Sequence, residues 1–148
     1  MVLTPHLSSI AKKSDLFCQT FDDGPTNVTS KLLDSLASEN QKVTLFEIGS
    51  RVVENYLITQ RAYSEGHEIA VHTWSHPHLT FLTGEEVYAE LAWGIYAIHA
   101  SIGQLPKLFR PPYGFFNDDI RKISSQLGLT VRSSYDFRGL IAECVLEC

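Results

Sequence analysis

The chain has 148 residues, of which 44% are hydrophobic and 20% are charged, and its formal net charge at pH 7 is -5. This length suits one domain with a core of its own, and the composition is that of an ordinary globular protein. The negative charge and the scattered Lys and Arg residues argue against a nucleic-acid-binding surface, and no apolar run is long enough to cross a membrane.

The amino terminus and the cysteines leave the cellular location open. Residues 1–14 lack the positive region and the continuous apolar core of a secretory signal, so no export signal is visible. The cysteines are odd in number and lack the close spacing of a metal site. We interpret them as one buried thiol and two thiols of the tail, namely Cys18, Cys144 and Cys148.

Strands and helices alternate along the sequence. Short apolar runs bounded by turn residues predict strands at 16–21, 42–48, 67–73, 107–110 and 129–137. Apolar residues at helical spacing predict helices at 26–40, 52–65, 84–102 and 117–127. Ser or Thr should cap the first helix and Asn117 the last, while Gly103 should end the third. This alternation predicts an α/β fold with a parallel sheet.

Charged and polar side chains follow three of the predicted strands. Asp22 and Asp23 follow the first strand, His72 and His76 the third, and Arg110 begins an Arg-Pro-Pro run after the fourth. Each group alone has a plainer interpretation, as a capped turn, a pair of satisfied histidines or a rigid strand end. Because ligand sites in parallel α/β folds lie at the carboxyl ends of strands, we expect one shared cleft.

These groups could form a catalytic metal site. His72 and His76 can bind one metal if their segment turns helically, and one of the two Asp carboxylates would complete a two-histidine, one-carboxylate set. That set suits catalytic zinc and also iron, cobalt or manganese. The metal would lower the pKa of a bound water toward ~7. The other carboxylate would take the water's proton, and Arg110 could orient it.

The remaining histidines and two aromatic residues carry no such pattern. Trp93 and Tyr96 lie near the apolar stripe of the third predicted helix, and we interpret them as core or flanking residues. We interpret the other histidines as structural or surface residues, namely His6, His67, His78 and His99.

Three segments resemble, in order, the first three motifs of the polysaccharide deacetylases. They are TFDDGP at 20–25, HTWSH at 72–76 and RPPYG at 110–114, and the longer HTWSHPHLT resembles fungal chitin deacetylases. The similarity runs from about residue 16 to residue 130. It implies a distorted parallel (β/α) barrel, a divalent metal such as Zn²⁺ or Co²⁺, and chitin or N-acetylglucosamine oligomers as substrates. Family members act at cell walls and outside cells.

The resemblance also implies a role for each motif residue. Asp22 would be the general base, and Arg110 would orient it. Tyr113 would help to stabilise the oxyanion through its backbone amide, and Pro111 and Tyr113 would contact substrate. The metal ligands would be Asp23, His72 and His76.

The sequence departs from the family pattern after residue 130. The fourth motif has two Asp residues followed by Trp, where this chain has Ser-Ser-Tyr-Asp-Phe at 133–137. Asp136 would match one of the two catalytic Asp residues, and Phe137 would replace the Trp as an apolar wall for substrate. The fifth motif, a Leu-rich strand that ends in His-Asp and supplies the general acid, has no counterpart.

We therefore expect residues 1–148 to form a single, truncated deacetylase domain with an incomplete barrel and poorly matched tails at 1–15 and 139–148. General acid catalysis is worth about 100- to 10,000-fold, so turnover should be weak or absent, and metal binding should survive better than catalysis. An exposed barrel edge would favour self-association. The alternative is a non-catalytic, metal-containing carbohydrate-binding module or a truncated gene product.

Overall fold

A computed structural model describes residues 19–133 of the chain. It contains a five-stranded parallel sheet in the order β1-β2-β3-β4-β5. The strands are β1 (Thr20–Gly24), β2 (Thr44–Glu47), β3 (Glu68–Val71), β4 (Leu108–Phe109) and β5 (Thr130–Val131). The α/β fold with parallel strands is thus confirmed, whereas closure into a barrel stays a prediction. Self-association through an exposed barrel edge also stays a prediction.

Helices connect successive strands, as the alternating pattern requires. They are α1 (Thr29–Ser38), α2 (Gly49–Glu54), α3 (Tyr56–Ser64), α4 (Gly84–Ile102) and α5 (Asp118–Gln126). Two short 3₁₀ turns, Leu79–Phe81 and Pro112–Gly114, were not predicted. Within residues 19–133, no helix combines the length and the hydrophobicity that a membrane span requires.

The helix α4 matches its prediction at both ends. Thr83 and Glu86 form a reciprocal capping box at its start, and Gly103 ends it in the left-handed conformation with a φ of 73°. Asn117 caps α5, since its side-chain oxygen accepts a hydrogen bond from the amide of Ile120. These signals are local in sequence, so the ends of these two helices could be predicted from neighbouring residues.

The predicted helix at 52–65 is wrong in one respect, because the structure divides it into α2 and α3. Asn55 separates the two with a φ of -130° and a ψ of 34°, outside the helical region. Its side-chain amide donates to the carbonyl of Arg51, a local bond that competes with helix continuation. The first helix of the pair also starts earlier than predicted, at Gly49.

Other predicted boundaries shift by a few residues. The N-cap of α1 is Val28, whose side chain makes no capping bond, so no Ser or Thr occupies the N-cap position itself. The neighbouring threonines bond to the turn before the helix: the hydroxyl of Thr26 accepts from the amide of Val28 at 3.3 Å, and the hydroxyl of Thr29 accepts from the amide of Thr26 at 2.9 Å. The predicted first strand begins before the described residues, and the predicted last strand extends beyond them.

The predicted apolar stripe of α4 faces the core. Val87, Leu91 and Ile98 are buried, and burial of each such side chain stabilises the fold by about 1.5–3 kcal/mol. Trp93 and Tyr96 are exposed, so they flank the core rather than belong to it. The stripe therefore packs α4 against the core that it shares with β3.

Two glycines bring α2, α4 and the segment after β3 into close contact. A Cβ atom on Gly49 would lie 2.9 Å from the Cα of Gly94 and 2.9 Å from a ring carbon of Trp74. A Cβ atom on Gly94 would lie 3.2 Å from the carbonyl oxygen of Thr73. The amide of Gly49 also donates to that carbonyl at 2.9 Å. A larger side chain at either glycine would push the segment that carries His72 and His76 away from α2 and α4.

Glu47 ends β2 with a fully buried carboxyl group. Its Oε2 accepts a hydrogen bond from the hydroxyl of Thr59 at 2.7 Å, and its Oε1 has no partner within residues 19–133. Burial raises the pKa of Glu47 from 4.5 to about 7, and the hydrogen bond from Thr59 opposes this only in part. In the folded protein this carboxyl group therefore stays mostly neutral below about pH 7.

We predict that this carboxyl group makes the folded state less stable as the pH rises. Its stabilising effect is complete below pH 4.5, where the unfolded form is also protonated, and is lost as the pH rises through about 7. The shift corresponds to a decrease of about 3 kcal/mol in the free energy of unfolding. Urea denaturation of metal-free protein at pH 5 and pH 8 should show this decrease in the wild type and a smaller one in Glu47→Gln. Parallel pH profiles of the two proteins would contradict the prediction.

Candidate metal centre

Asp23, His72 and His76 meet at the carboxyl ends of β1 and β3. One carboxylate oxygen of Asp23 lies 3.4 Å from Nε2 of His72 and 3.1 Å from Nε2 of His76. The three possible ligand atoms all lie within 4.8 Å of one another. The His72 side chain is 4% exposed and that of Asp23 is 58% exposed, so the cluster is buried on the His72 side and open to solvent on the Asp23 side. Two imidazoles and one carboxylate with an open side suit a catalytic divalent metal.

The orientation of His72 also fits a metal ligand. Its Nδ1 lies 2.7 Å from the carbonyl oxygen of Arg110. Because a carbonyl oxygen can only accept, Nδ1 carries the hydrogen and Nε2 presents its lone pair to the cluster. Burial lowers the pKa of His72, although the bond to Arg110 and the nearby Asp22 act in the opposite direction. The neutral imidazole that results is the form that binds a metal.

Unusual backbone conformations concentrate at this site. Apart from Asn40, every described non-glycine residue with a positive φ belongs to it: Asp23 at 66°, Thr73 at 67°, His76 at 64° and Tyr113 at 59°. The left-handed conformation costs roughly 1–3 kcal/mol per residue, so surrounding contacts must hold it. The hydroxyl of Thr73 accepts from the amide of His76 at 3.0 Å and donates to the carbonyl of His72. This bend, rather than a helical turn, places both imidazoles on one side.

Asp22 lies beside the cluster and is held by Arg110. The Nη1 atom of Arg110 donates to Oδ1 of Asp22 at 2.7 Å and to the hydroxyl of Thr20 at 2.9 Å. The guanidinium lies over the ring of Phe46, 4.0 Å from its centroid. The Arg110 side chain is 5% exposed and that of Asp22 is 33% exposed. A buried cation thus fixes a carboxylate that remains open to the cleft.

The third motif also reaches the site. Tyr113 lies in the 3₁₀ turn Pro112–Gly114, and its ring centroid is 4.8 Å from that of His76 in an edge-on contact. Pro111 is buried directly before this turn. The structure therefore brings together the residues predicted from all three motifs, while Asp136 and Phe137 lie outside the described residues.

Two supporting residues were missed at the sequence level. Glu90 of α4 accepts hydrogen bonds from the amides of Trp74 and Ser75 at 2.9 and 2.8 Å and from the Ser75 hydroxyl at 2.6 Å. Arg51 of α2 donates to the backbone carbonyl of Asp23. Both look like ordinary surface charges in the sequence, and no local signal distinguishes them.

We predict that Glu90→Ala weakens zinc binding about 10- to 100-fold, the usual cost of losing a group that orients metal ligands. The carboxylate anchors the segment between His72 and His76, so its loss should release both imidazoles from their positions. Competition with a chromophoric chelator measures the affinity. The matched control is Glu85→Ala, which removes an exposed glutamate from the first turn of the same helix. Equal affinities in the two variants would refute the role of Glu90.

Sequence comparison agrees with this arrangement. A family model described as polysaccharide deacetylase matches residues 10–132. The chain is 48% identical over 111 residues to chitin deacetylase 1 of Cryptococcus neoformans var. grubii, covering 75% of this chain and 24% of that protein. It is 39% identical over 132 residues to chitin deacetylase 2 of Saccharomyces cerevisiae, covering 86% of this chain and 41% of that protein.

Structural comparison leads to the same family. A family 4 carbohydrate esterase from Streptomyces lividans, solved in complex with acetate, matches with a TM-score of 0.74 and 36% identity. The match covers 76% of this chain and 58% of that one. The chain spans about a quarter of the length of the Cryptococcus relatives it matches. Because the family model spans all five strands and all three motifs, the chain belongs to the polysaccharide deacetylase family.

Proposed function

We propose that the chain is a metal-dependent hydrolase that removes N-acetyl groups from chitin or related N-acetylglucosamine polymers. The observation that carries this proposal is the open cluster of two histidines and one carboxylate beside a carboxylate held by a buried arginine. The substrate class rests on the relatives named chitin deacetylases. Zn²⁺ is the proposed metal, and Co²⁺ or another divalent ion would suit the same donors.

Asp23, His72 and His76 would hold the metal. A divalent ion bound there would lower the pKa of a water molecule and polarise the acetamide carbonyl. Asp22 would act as general base and accept the proton of the attacking water, because its carboxylate faces the cleft next to the cluster. The short bond from Arg110 keeps that carboxylate in one orientation.

The substrate carbonyl would lie between the cluster and the third motif. The backbone amide of Tyr113 would donate to the oxygen that becomes negatively charged, and Pro111 and the Tyr113 ring would line the substrate. Cleavage of the C–N bond then yields acetate and an amine, which must gain a proton as it leaves. The proton that Asp22 would accept from the water equals the one that the amine must gain, so the overall reaction needs no further reactant.

Acetate release tests the proposal directly. Zinc-loaded protein should release acetate from acetylated chito-oligomers, and protein treated with a chelator should not. Re-addition of Zn²⁺ should restore the reaction, which separates metal dependence from irreversible unfolding. Oligomer binding without acetate release, at high protein concentration and long incubation, would refute the catalytic proposal and favour the carbohydrate-binding module.

A further inference from the structure

Asp23 is an extra residue in β1, with no residue opposite it in β2. The register of the two strands places Asp22 opposite Phe46 and Gly24 opposite Glu47, so Asp23 is the additional residue of a β-bulge. Its φ of 66° is in the left-handed region, and its carboxylate faces the two imidazoles of the cluster. The carboxylate ligand thus depends on a backbone conformation that the pairing of the strands does not impose.

The side chain of Arg51, in the first turn of α2, contacts this bulge. Its Nη1 donates to the backbone carbonyl of Asp23. A hydrogen bond from a guanidinium is charge-assisted and stronger than a neutral one, so it can hold a backbone conformation that costs free energy. Val52, the next residue of α2, is fully buried, which fixes the backbone that carries the arginine to the core.

The same turn of α2 also binds the segment that carries the histidines. The amide of Gly49 donates to the carbonyl of Thr73 at 2.9 Å, and the amide of Ser50 donates to the carbonyl of Trp74 at 3.1 Å. Both carbonyls lie between the two histidines in the sequence. Residues 49–51 therefore contact both the strand end that carries the carboxylate ligand and the segment that carries the imidazole ligands.

We propose that Arg51 is a positioning residue for the metal centre. By holding the carbonyl of Asp23, it sets the distance from the Asp23 carboxylate to the imidazoles of His72 and His76. Without the guanidinium, the bulge relaxes toward the ordinary strand conformation and the carboxylate leaves the cluster. This inference rests on the proposed metal-dependent function and adds to it a residue outside the three motifs.

A role in geometry and a role as a charge predict opposite effects of removing Arg51. The guanidinium is a positive charge close to a site for a cation, so its charge by itself opposes metal binding. If charge were its only contribution, a neutral side chain would strengthen the binding of zinc. The positioning role predicts weaker binding, because one of three ligands loses its place.

Competition with a chromophoric chelator, applied to the full chain, measures this effect. Arg51→Met, which keeps most of the length of the side chain and removes its donors, should bind Zn²⁺ about 10- to 100-fold more weakly. Arg51→Lys retains a charged donor and should recover most of the affinity. With Co²⁺ as the probe, the visible absorption reports the arrangement of the ligands. It should change in Arg51→Met and resemble the wild type in Arg51→Lys.

Arg61→Met serves as the comparison for a general loss of stability. Arg61 of α3 donates to the carbonyl of Ser30 and pairs with Asp34 and Glu65, which lie outside both ligand-bearing segments. Its replacement should lower the midpoint of urea denaturation and leave the zinc affinity and the Co²⁺ absorption unchanged.

The outcomes separate this inference from the proposed function. If the wild type releases acetate and Arg51→Met binds zinc as tightly as the wild type or more tightly, the inference is overturned and the function stands. Equal losses of zinc affinity in Arg51→Met and Arg61→Met would also overturn it. If Arg51→Met alone loses affinity but no protein releases acetate, the positioning role stands and the function fails. A wild type that binds no zinc overturns both.

Discussion

Replacement of Asp22 with asparagine should reduce acetate release about 100- to 10,000-fold while zinc binding persists. The asparagine oxygen can still accept the hydrogen bond that Arg110 donates at 2.7 Å, so the side chain should keep its position. An amide cannot take the proton of the attacking water, so only the chemical step should suffer. The measurements are kcat for acetate release and zinc content per chain.

A matched control for Asp22→Asn is the same substitution at a carboxylate far from the site. Asp119→Asn removes an exposed carboxylate from α5 whose side chain is paired with Lys122 at 3.4 Å, and it should leave both quantities unchanged. Full activity in Asp22→Asn would exclude Asp22 as the base. Loss of zinc together with activity would mean that Asp22 acts through the metal site and not through proton transfer.

Replacement of His72 with alanine should abolish stoichiometric zinc binding and, with it, acetate release. His72 contributes one of three ligand atoms, and its ring is already oriented by the carbonyl of Arg110. Loss of a ligand should exceed the 10- to 100-fold that supporting residues cost. Metal analysis after dialysis against a zinc buffer gives the zinc content per chain.

Because His72 is buried, its variant could lose zinc through misfolding, so a second variant is needed. Asp23→Asn removes a ligand charge at an exposed position, and asparagine tolerates the φ of 66° that this residue adopts. His99→Ala, in the exposed last turn of α4, is the histidine control. One zinc per chain in both His72→Ala and Asp23→Asn would refute the site.

The elements of the fold were predictable where their signals are local. The capping box and the left-handed Gly103 define α4 within a few residues of its ends, and alternating strands and helices imply a parallel sheet. The start of α2 at Gly49 was not predictable, because Gly49 makes a long-range contact there: its amide donates to the carbonyl of Thr73, 24 positions later in the sequence. The break at Asn55 accompanies a local bond from its side chain to the carbonyl of Arg51, but one asparagine inside an apolar periodic pattern does not by itself mark a helix end.

Some residues of the candidate site could also be predicted from the sequence, and others could not. The motif residues Asp22, His72 and Arg110 stand out because their types and strand-end positions indicate shared chemistry. Glu90 does not stand out, since a glutamate on a helix is common. Only its hydrogen bonds with the backbone amides of Trp74 and Ser75 show what Glu90 does.

The sequence alone determined the α/β class, the order of the elements and the residue types at the strand ends. Periodicity, capping and strand termini are properties of neighbouring residues, which is why they could be predicted. The residues themselves left open which of the two adjacent carboxylates turns toward the histidines; the family resemblance implied that it is Asp23, and only the tertiary structure shows why. That choice depends on the left-handed backbone at Asp23 and on Arg51, which binds its carbonyl from another element. Long-range contacts set side-chain directions at a strand end, and a one-dimensional pattern does not contain them.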